Sequence, residues 1–287
     1  MTKRFKRWLF CSAVVIFLIL SYVIILYAQG YKYSFFENKF FKTGAIYLKV
    51  NTDADVYLND KLLGDTSFFN NSYRIEGLLP GKYAIKIRKN YYSTWQKQVT
   101  VDEGFVSEFS KIFLMPKDGD NVEKLEDEVK LIFVSPSPIP TSSSTVQPVE
   151  PFIIKKGVLS AIGEDSSEED RNKPEIIAEN VKGYVLSKNK NKLAWWTANE
   201  LWVIWLNDAS YQPYHKKGDK ELITRFSTSI KKVVWFRDED HLIIDSGLST
   251  HSTSTQGGEQ GRTTSPGQAG YKILEIDTRG GINIVEV

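Results

Sequence analysis

"LLPGKYAIKIRKNYYSTWQKQVTV", Leu78 to Val101, decides how the middle of this chain folds. Pro80 presets φ, and Gly81 supplies the positive φ that a type II turn requires. Beyond the turn, Tyr83, Ile85 and Ile87 alternate with Lys82, Lys86 and Arg88. Strict alternation of this kind marks a half-buried β-strand. A polar corner with Tyr91 and Tyr92 follows. Trp95, Val99 and Val101 then take up the apolar face again. Lys82, Lys86 and Arg88 therefore share the outward face of a hairpin. A solvated face is the default for such a row, and lysines also blunt edge pairing. The sharper alternative is contact with an anionic envelope polymer or lipid, for which these three residues are the candidates.

Working outward, the same period of two begins at Gly44. Ile46, Leu48 and Val50 alternate with Tyr47 and Lys49, and Val56 and Leu58 flank Tyr57. Asn59-Asp60, between "DVYL" and "KLLG", is a two-residue turn suited to positive φ, so this stretch reads as a hairpin. "FSKIFL", Phe109 to Leu114, supplies a last strand. Residues 43–116 thus predict a small antiparallel β-domain. Two stretches, "GAIYLKVNTDADVYLNDKLLG" and "IEGLLPGKYAIKIRKNYYSTWQKQVTV", resemble the PEGA domain. That family is a small β-sandwich of exported or membrane-anchored prokaryotic proteins. Leu79-Pro80-Gly81-Lys82-Tyr83, Tyr91 and Trp95 carry the resemblance. Asn59-Asp60 stands where the family has Asp-Gly, and Asn90 where it has Gly before the tyrosine. Asn and Asp tolerate the left-handed conformation best among non-glycine residues, so both departures are mild. The resemblance implies a fold and no shared catalytic residues.

The N-terminus sets the compartment. Lys3, Arg4, Lys6 and Arg7 (residues 1–7 being a basic tail) precede the uncharged run Trp8 to Ala28. At 1.5 Å per residue that run extends roughly 31 Å, about the thickness of a bilayer core. A cleaved signal peptide is the rival, since Ala28-Gln29-Gly30 resembles a cleavage site. Signal cores are usually shorter, about 7–15 residues, which favours an uncleaved anchor. The basic flank places the N-terminus in the cytoplasm and the bulk of the chain outside. Residues 29–42, rich in aromatic and basic side chains, read as a collar at headgroup level. Cys11, the one cysteine, lies inside the span and excludes an intramolecular disulfide.

Residues 117–151 read as a charged, then Pro/Ser/Thr-rich linker, with Leu131–Val134 able to add a strand to a neighbour. The part from 152 to 287 repeats. Val181, Leu193 and "ELWVIWL" recur 49 residues later as Ile230 and Leu242, and "YKILEID" follows an insertion, Asp245–Gly270. "GVLSAI" and "EIIAEN" look like an earlier copy. Units of three or four short strands at such a period suggest propeller blades. This half resembles TolB or WD40-like β-propellers. Closed propellers use at least about four blades and two to three are visible, so truncation, completion by a partner or an open array is expected.

Among the residues that carry chemistry, His215, His241 and His251 are scattered outside any HExxH pattern. "GEQGRTTSPG" lacks the lysine and spacing of a phosphate loop. Asp118–Glu123 lacks the central glycine and terminal glutamate of a calcium loop, and the acidic run Glu164–Asp170 reads as solvated. No catalytic residue, cofactor site or metal site is assigned. The net charge of +2 gives no footprint for nucleic acid. Five tryptophans, Trp195, Trp196, Trp202, Trp205 and Trp235, lie in the repeats. Both parities of their strands are apolar, as in sheets covered on both faces. Trp196 and Trp202 are the candidates for stacking on a ligand such as a sugar.

The composite expectation is an all-β protein with an N-terminal transmembrane helix, a PEGA-like antiparallel sandwich and partial propeller-like repeats. It would be a non-enzymatic, membrane-anchored, extracytoplasmic structural or interaction module of the prokaryotic envelope. Its partners would be the membrane, envelope proteins or cell-wall polymer. The alternative is an exported propeller-borne hydrolase or carbohydrate-active enzyme whose site lies in further blades.

Overall fold

A computed structural model of the chain describes residues 3–134, 151–162, 175–248 and 269–287. The Pro/Ser/Thr-rich segment, the acidic run, His251 and "GEQGRTTSPG" lie outside the described residues. The chain divides into two compact units. One holds residues 1–90 and 94–114; the other holds 91–93 and 115–287.

The first unit opens with α1, Lys3–Ala28, a 26-residue helix with no buried residue. A helix that is apolar all round is stable where its whole surface meets apolar surroundings, and α1 is long and apolar enough to cross a membrane. A short hairpin follows, β1 (Tyr31–Ser34) paired with β2 (Lys39–Lys42).

The rest of this unit is two small sheets. One has the order β6-β3-β9, built from β3 (Gly44–Val50), β6 (Ser72–Leu78) and β9 (Val106–Ile112). The other has the order β5-β4-β7-β8, from β4 (Asp55–Leu58), β5 (Lys61–Asp65), β7 (Gly81–Arg88) and β8 (Trp95–Val101). All pairs are antiparallel except β3 with β9, which run parallel. Inward side chains at alternate positions, among them Ile46, Leu48, Val56, Ile85 and Ile87, are fully buried. Each such side chain contributes roughly 1.5–3 kcal/mol by leaving water. Trp95 of one sheet meets Phe109 of the other edge to face, with ring centres 5.6 Å apart.

Turn chemistry explains two of the links and corrects two expectations. Asn59 and Asp60 both adopt positive φ, 49° and 62°, as the hairpin between β4 and β5 demands. The Pro80-Gly81 link is not a hairpin turn. It carries the chain from β6 in one sheet to β7 in the other, and Gly81 has a nearly extended φ of 158°. A type II turn would need about +80° there. The left-handed residue expected at Asn90 is instead Tyr91, with φ 63°. Its ring is exposed, and its carbonyl accepts the N–H of Lys117 at 2.7 Å.

The second unit begins with α2, Asp120–Val134. This overturns the expectation that residues 117–134 are linker and that Leu131–Val134 forms a strand. Val122, Leu125, Val129 and Phe133 recur at helical spacing, and Leu125 and Val129 are buried. Glu128 holds Arg237 in a two-pronged ion pair, and the Phe133 carbonyl accepts a hydrogen bond from Lys232.

Three antiparallel meander sheets follow in chain order. They are β10 (Phe152–Lys155), β11 (Val158–Ala161) and β12 (Glu175–Ala178); then β13 (Gly183–Leu186), β14 (Lys192–Trp196), β15 (Glu200–Trp205) and β16 (Lys220–Arg225); then β17 (Lys232–Trp235), β18 (His241–Leu248), β19 (Ala269–Glu275) and β20 (Ile284–Glu286). The 49-residue offset seen in the sequence maps β14 onto the start of β18. The middle sheet has two covered faces. Ala194, Trp196, Leu201, Val203 and Trp205 pack with Val233, Leu242, Ile244 and Leu274 of the third sheet. Leu193, Trp195 and Ile204 pack with Phe152, Leu159 and Ile177 of the first.

Gly183 is where this packing is tightest. A Cβ there would lie 2.3 Å from Cζ2 of Trp196, its cross-strand partner. Gly183→Ala should therefore cost about 1–3 kcal/mol, as other overpacking changes do. In thermal melts of the full chain, Trp196→Phe in the same molecule should recover part of that loss. Equal melting temperatures for Gly183→Ala and the unaltered protein would contradict this contact.

Candidate binding surfaces and a buried ionic clamp

The outward face of β7 carries the three predicted cations, but the structure spreads them out and partners one of them. Lys82 and Arg88 are exposed at opposite ends of the strand. Lys86 sits between them and donates to Asp60 at 2.5 Å. That ammonium holds the Asp60 carboxyl below its usual range. Next to the sheet, Lys89 does the same for Asp53, at 2.5 Å. Arg88 lies opposite Asp55 in the register. Asp55 is itself pushed up, first by burial and then by its cross-strand neighbour Asp65. Carboxylates thus interleave with the basic row, and Lys82 and Arg88 form no ion pair among the described residues. Lys97 has gone the other way. It shares the parity of Trp95, Val99 and Val101, and it is buried, with its ammonium 5.9 Å and 5.8 Å from the rings of Trp95 and Phe109. That is cation–π range. Parity was the signal for it in the sequence.

The two candidate stacking tryptophans do not meet. Trp196 is paired with Leu201 and Trp202 with Trp195, so they project from opposite faces of the middle sheet. Trp196 lies within the core. Trp202 is half-buried. One face of its ring stacks on Trp195, centroids 5.9 Å apart and 10° from parallel, and its Nε1–H donates to Glu200.

A denser polar arrangement joins the second and third sheets. The Lys192 ammonium is buried. It donates to Asp240 Oδ1 at 2.9 Å, to the Glu239 carbonyl at 2.9 Å and toward the Tyr211 hydroxyl at 3.1 Å. Tyr211 in turn donates to Asp240 at 2.6 Å. Burial, then the Asp240 charge, pushes the Tyr211 phenol well above its usual range. Beside this, Asn189 N–H and the Asn191 side chain both reach Glu239. Asp238 accepts the N–H groups of Asp240 and His241 and faces the His241 ring at 3.1 Å. Burial pushes Asp238 up, but these partners outweigh it, and its carboxyl titrates below the usual range.

The same 49-residue offset exposes what produces this clamp. Lys188-Asn189-Lys190-Asn191-Lys192 of one repeat corresponds to Arg237-Asp238-Glu239-Asp240-His241 of the next. Each turn holds one left-handed residue, though at different positions: Lys190 in the first, φ 58°, and Arg237, the counterpart of Lys188, in the second, φ 48°. Equivalent turns of adjacent repeats therefore carry largely opposite charge and bond to each other. Laying the turn residues on one another, rather than only the apolar ones, would have found it.

His215 lies in the loop between β15 and β16, stacked on Trp205 with centroids 3.6 Å apart. Its Nε2 is buried, 3.5 Å from Glu221, and makes no hydrogen bond among the described residues. Glu221 instead accepts from Thr278. Burial holds the imidazole below its usual pKa, against the opposing pull of Glu221, Asp219 and Asp277 and with a small push from Lys192. Among the described residues, no group of three or more His, Cys, Asp or Glu side chains is arranged to hold a metal.

Comparison with known proteins meets this geometry in the first unit. Residues 48–113 match the PEGA domain. The match starts within β3 and ends just after β9, covering both sheets of the sandwich. No curated protein and no solved structure matches the chain.

Two measurements follow. Asp240→Ala should leave Lys192 charged and buried without its counter-ion, at a cost of about 3–5 kcal/mol; a change under about 1 kcal/mol in denaturant melts would mean that the pair contributes nothing. His215 has a lowered pKa in the folded chain, chiefly through burial, so the unfolded chain takes up the proton first. Stability is then complete above about pH 6.5 and falls as the pH drops below it. His215→Gln should flatten that part of the curve of melting temperature against pH. An unchanged slope would assign it to other groups.

Proposed function

We propose that the chain is a single-pass membrane protein whose folded units lie outside the cytoplasm and serve as a structural or binding module of a prokaryotic cell envelope, without catalytic activity. The observation that carries this is α1. It is apolar, has no buried residue, and belongs to the same unit as the segment that matches the PEGA domain. A helix with that surface is stable in lipid. The cluster Lys3, Arg4, Lys6 and Arg7 supports an N-terminus in the cytoplasm.

The second unit fits an interaction platform. Its three small sheets repeat one meander order and stack face on face, which supports likening them to propeller blades. The non-enzymatic reading draws on the ionic clamp, whose Lys192, Tyr211 and Asp240 are engaged with one another in joining two sheets. On the PEGA sandwich, Lys82 and Arg88 are the cations best placed to meet an anionic polymer.

Topology is the decisive test. With Cys11 replaced by serine, a cysteine introduced at exposed Lys61 should react with a membrane-impermeant maleimide on intact cells. The protein should also stay with membranes after alkaline carbonate washing. Labelling only after lysis would reverse the orientation, and release by carbonate would remove the anchor.

A further inference from the structure

At the point where α1 passes into the first strands, unit one encloses a cleft of about 480 Å³. Tyr27 from the last turn of α1, Tyr31 and Lys32 from β1, and Arg74 and Glu76 from β6 line it. Four further lining residues are glycines, Gly30, Gly44, Gly77 and Gly104. Three of them have positive φ, 85°, 67° and 75° for Gly30, Gly77 and Gly104. Of these, Gly77 leaves room for the lining cation, since a Cβ there would lie 2.9 Å from the Lys32 ammonium.

The cations are held at the wall. Lys32 donates to the Gly77 carbonyl at 2.7 Å, which uses one of its three N–H groups. Arg74 is tied through Nε to Glu76 at 2.8 Å. Its remaining N–H groups form no hydrogen bond among the described residues. Two cations and one carboxylate give the lining one net positive charge. That balance suits a phosphodiester, with one negative charge, better than a phosphomonoester, which carries nearly two near neutral pH. Given α1 as a membrane span, on which this inference rests, Tyr27 and Tyr31 place the cleft at headgroup depth, where such rings are favoured.

We propose that this cleft binds the phosphate of a phospholipid headgroup, held between Lys32 and Arg74. The site would seat one lipid beside the anchor and fix the sandwich at a set distance from the bilayer.

The test uses the full chain in detergent micelles, with bound lipid counted by native mass spectrometry. Phosphatidylglycerol, phosphatidic acid and diacylglycerol serve as probes, with inorganic phosphate as competitor. One phosphatidylglycerol should be retained per chain, in preference to phosphatidic acid, and diacylglycerol should not be. Lys32→Gln with Arg74→Gln should weaken retention at least tenfold. Glu76→Gln, which leaves both cations in place, should shift the preference toward phosphatidic acid. Equal retention of diacylglycerol, or no change in either variant, would overturn the proposal. Displacement by inorganic phosphate at matched concentration would assign the cleft to a free anion and overturn the lipid. Flotation with neutral phosphatidylcholine vesicles tests α1 separately. A chain that fails to float but retains phosphatidylglycerol in micelles refutes the anchor and not the site.

Discussion

The middle sheet of the C-terminal unit has no solvent side. Leu193, Trp195 and Ile204 on one face, and Ala194, Trp196 and Trp205 on the other, are buried. A sheet of this kind is stable only when covered twice, because either face left open would expose a row of large apolar side chains to water. The first and third sheets are therefore requirements of the second. The polar clamp follows from the same constraint. Turns at the ends of sheets packed this closely come within bonding distance, and charges buried there have to be paired. Lys192, Asp240 and Tyr211 meet that demand among themselves.

In the N-terminal unit the corresponding constraint is the parity of its strands. Ile85 and Ile87 point in, Lys82 and Arg88 point out, and a slip of one residue would exchange them. The glycines of the α1 junction complement this order. Gly44 lets β3 begin hard against the 102–105 turn, where a Cβ would strike Val101 and two backbone carbonyls.

Much of this was legible in the sequence because period-two alternation is a local signal. The strands of the sandwich, the Asn59-Asp60 hairpin and the resemblance that the family match supports at residues 48–113 all came from it. The apolar, membrane-length character of α1 was legible by a different local signal, an unbroken uncharged run. What escaped depends on longer range or on a different period. The α2 helix was hidden because its charged residues suggested linker while Val122, Leu125 and Val129 kept a helical spacing. The parallel pairing of β3 with β9 joins strands far apart in the chain. Pro80-Gly81 offered a turn motif, but its geometry was set by the need to cross between sheets. For the candidate sites, residue type was readable and environment was not. Trp196 and Trp202 fall on opposite faces because β14 and β15 are cross-strand partners, and Lys86 is engaged because a turn distant in sequence delivers Asp60 to it.

The opposite charges on equivalent turns have a consequence for how such an array can grow. Repeats that arise by duplication start out identical, and in two copies of the Lys188–Lys192 turn placed side by side an asparagine, the counterpart of Asn191, would stand where Asp240 now meets Lys192, leaving the buried ammonium without its counter-ion. The second and third repeats instead each carry half of a lock whose other half is written on the other. The order of these two repeats is thereby marked in electrostatics as well as in their apolar contacts. A copied repeat inserted into this chain would leave its buried ammonium unanswered until a neighbouring turn had gained a carboxylate.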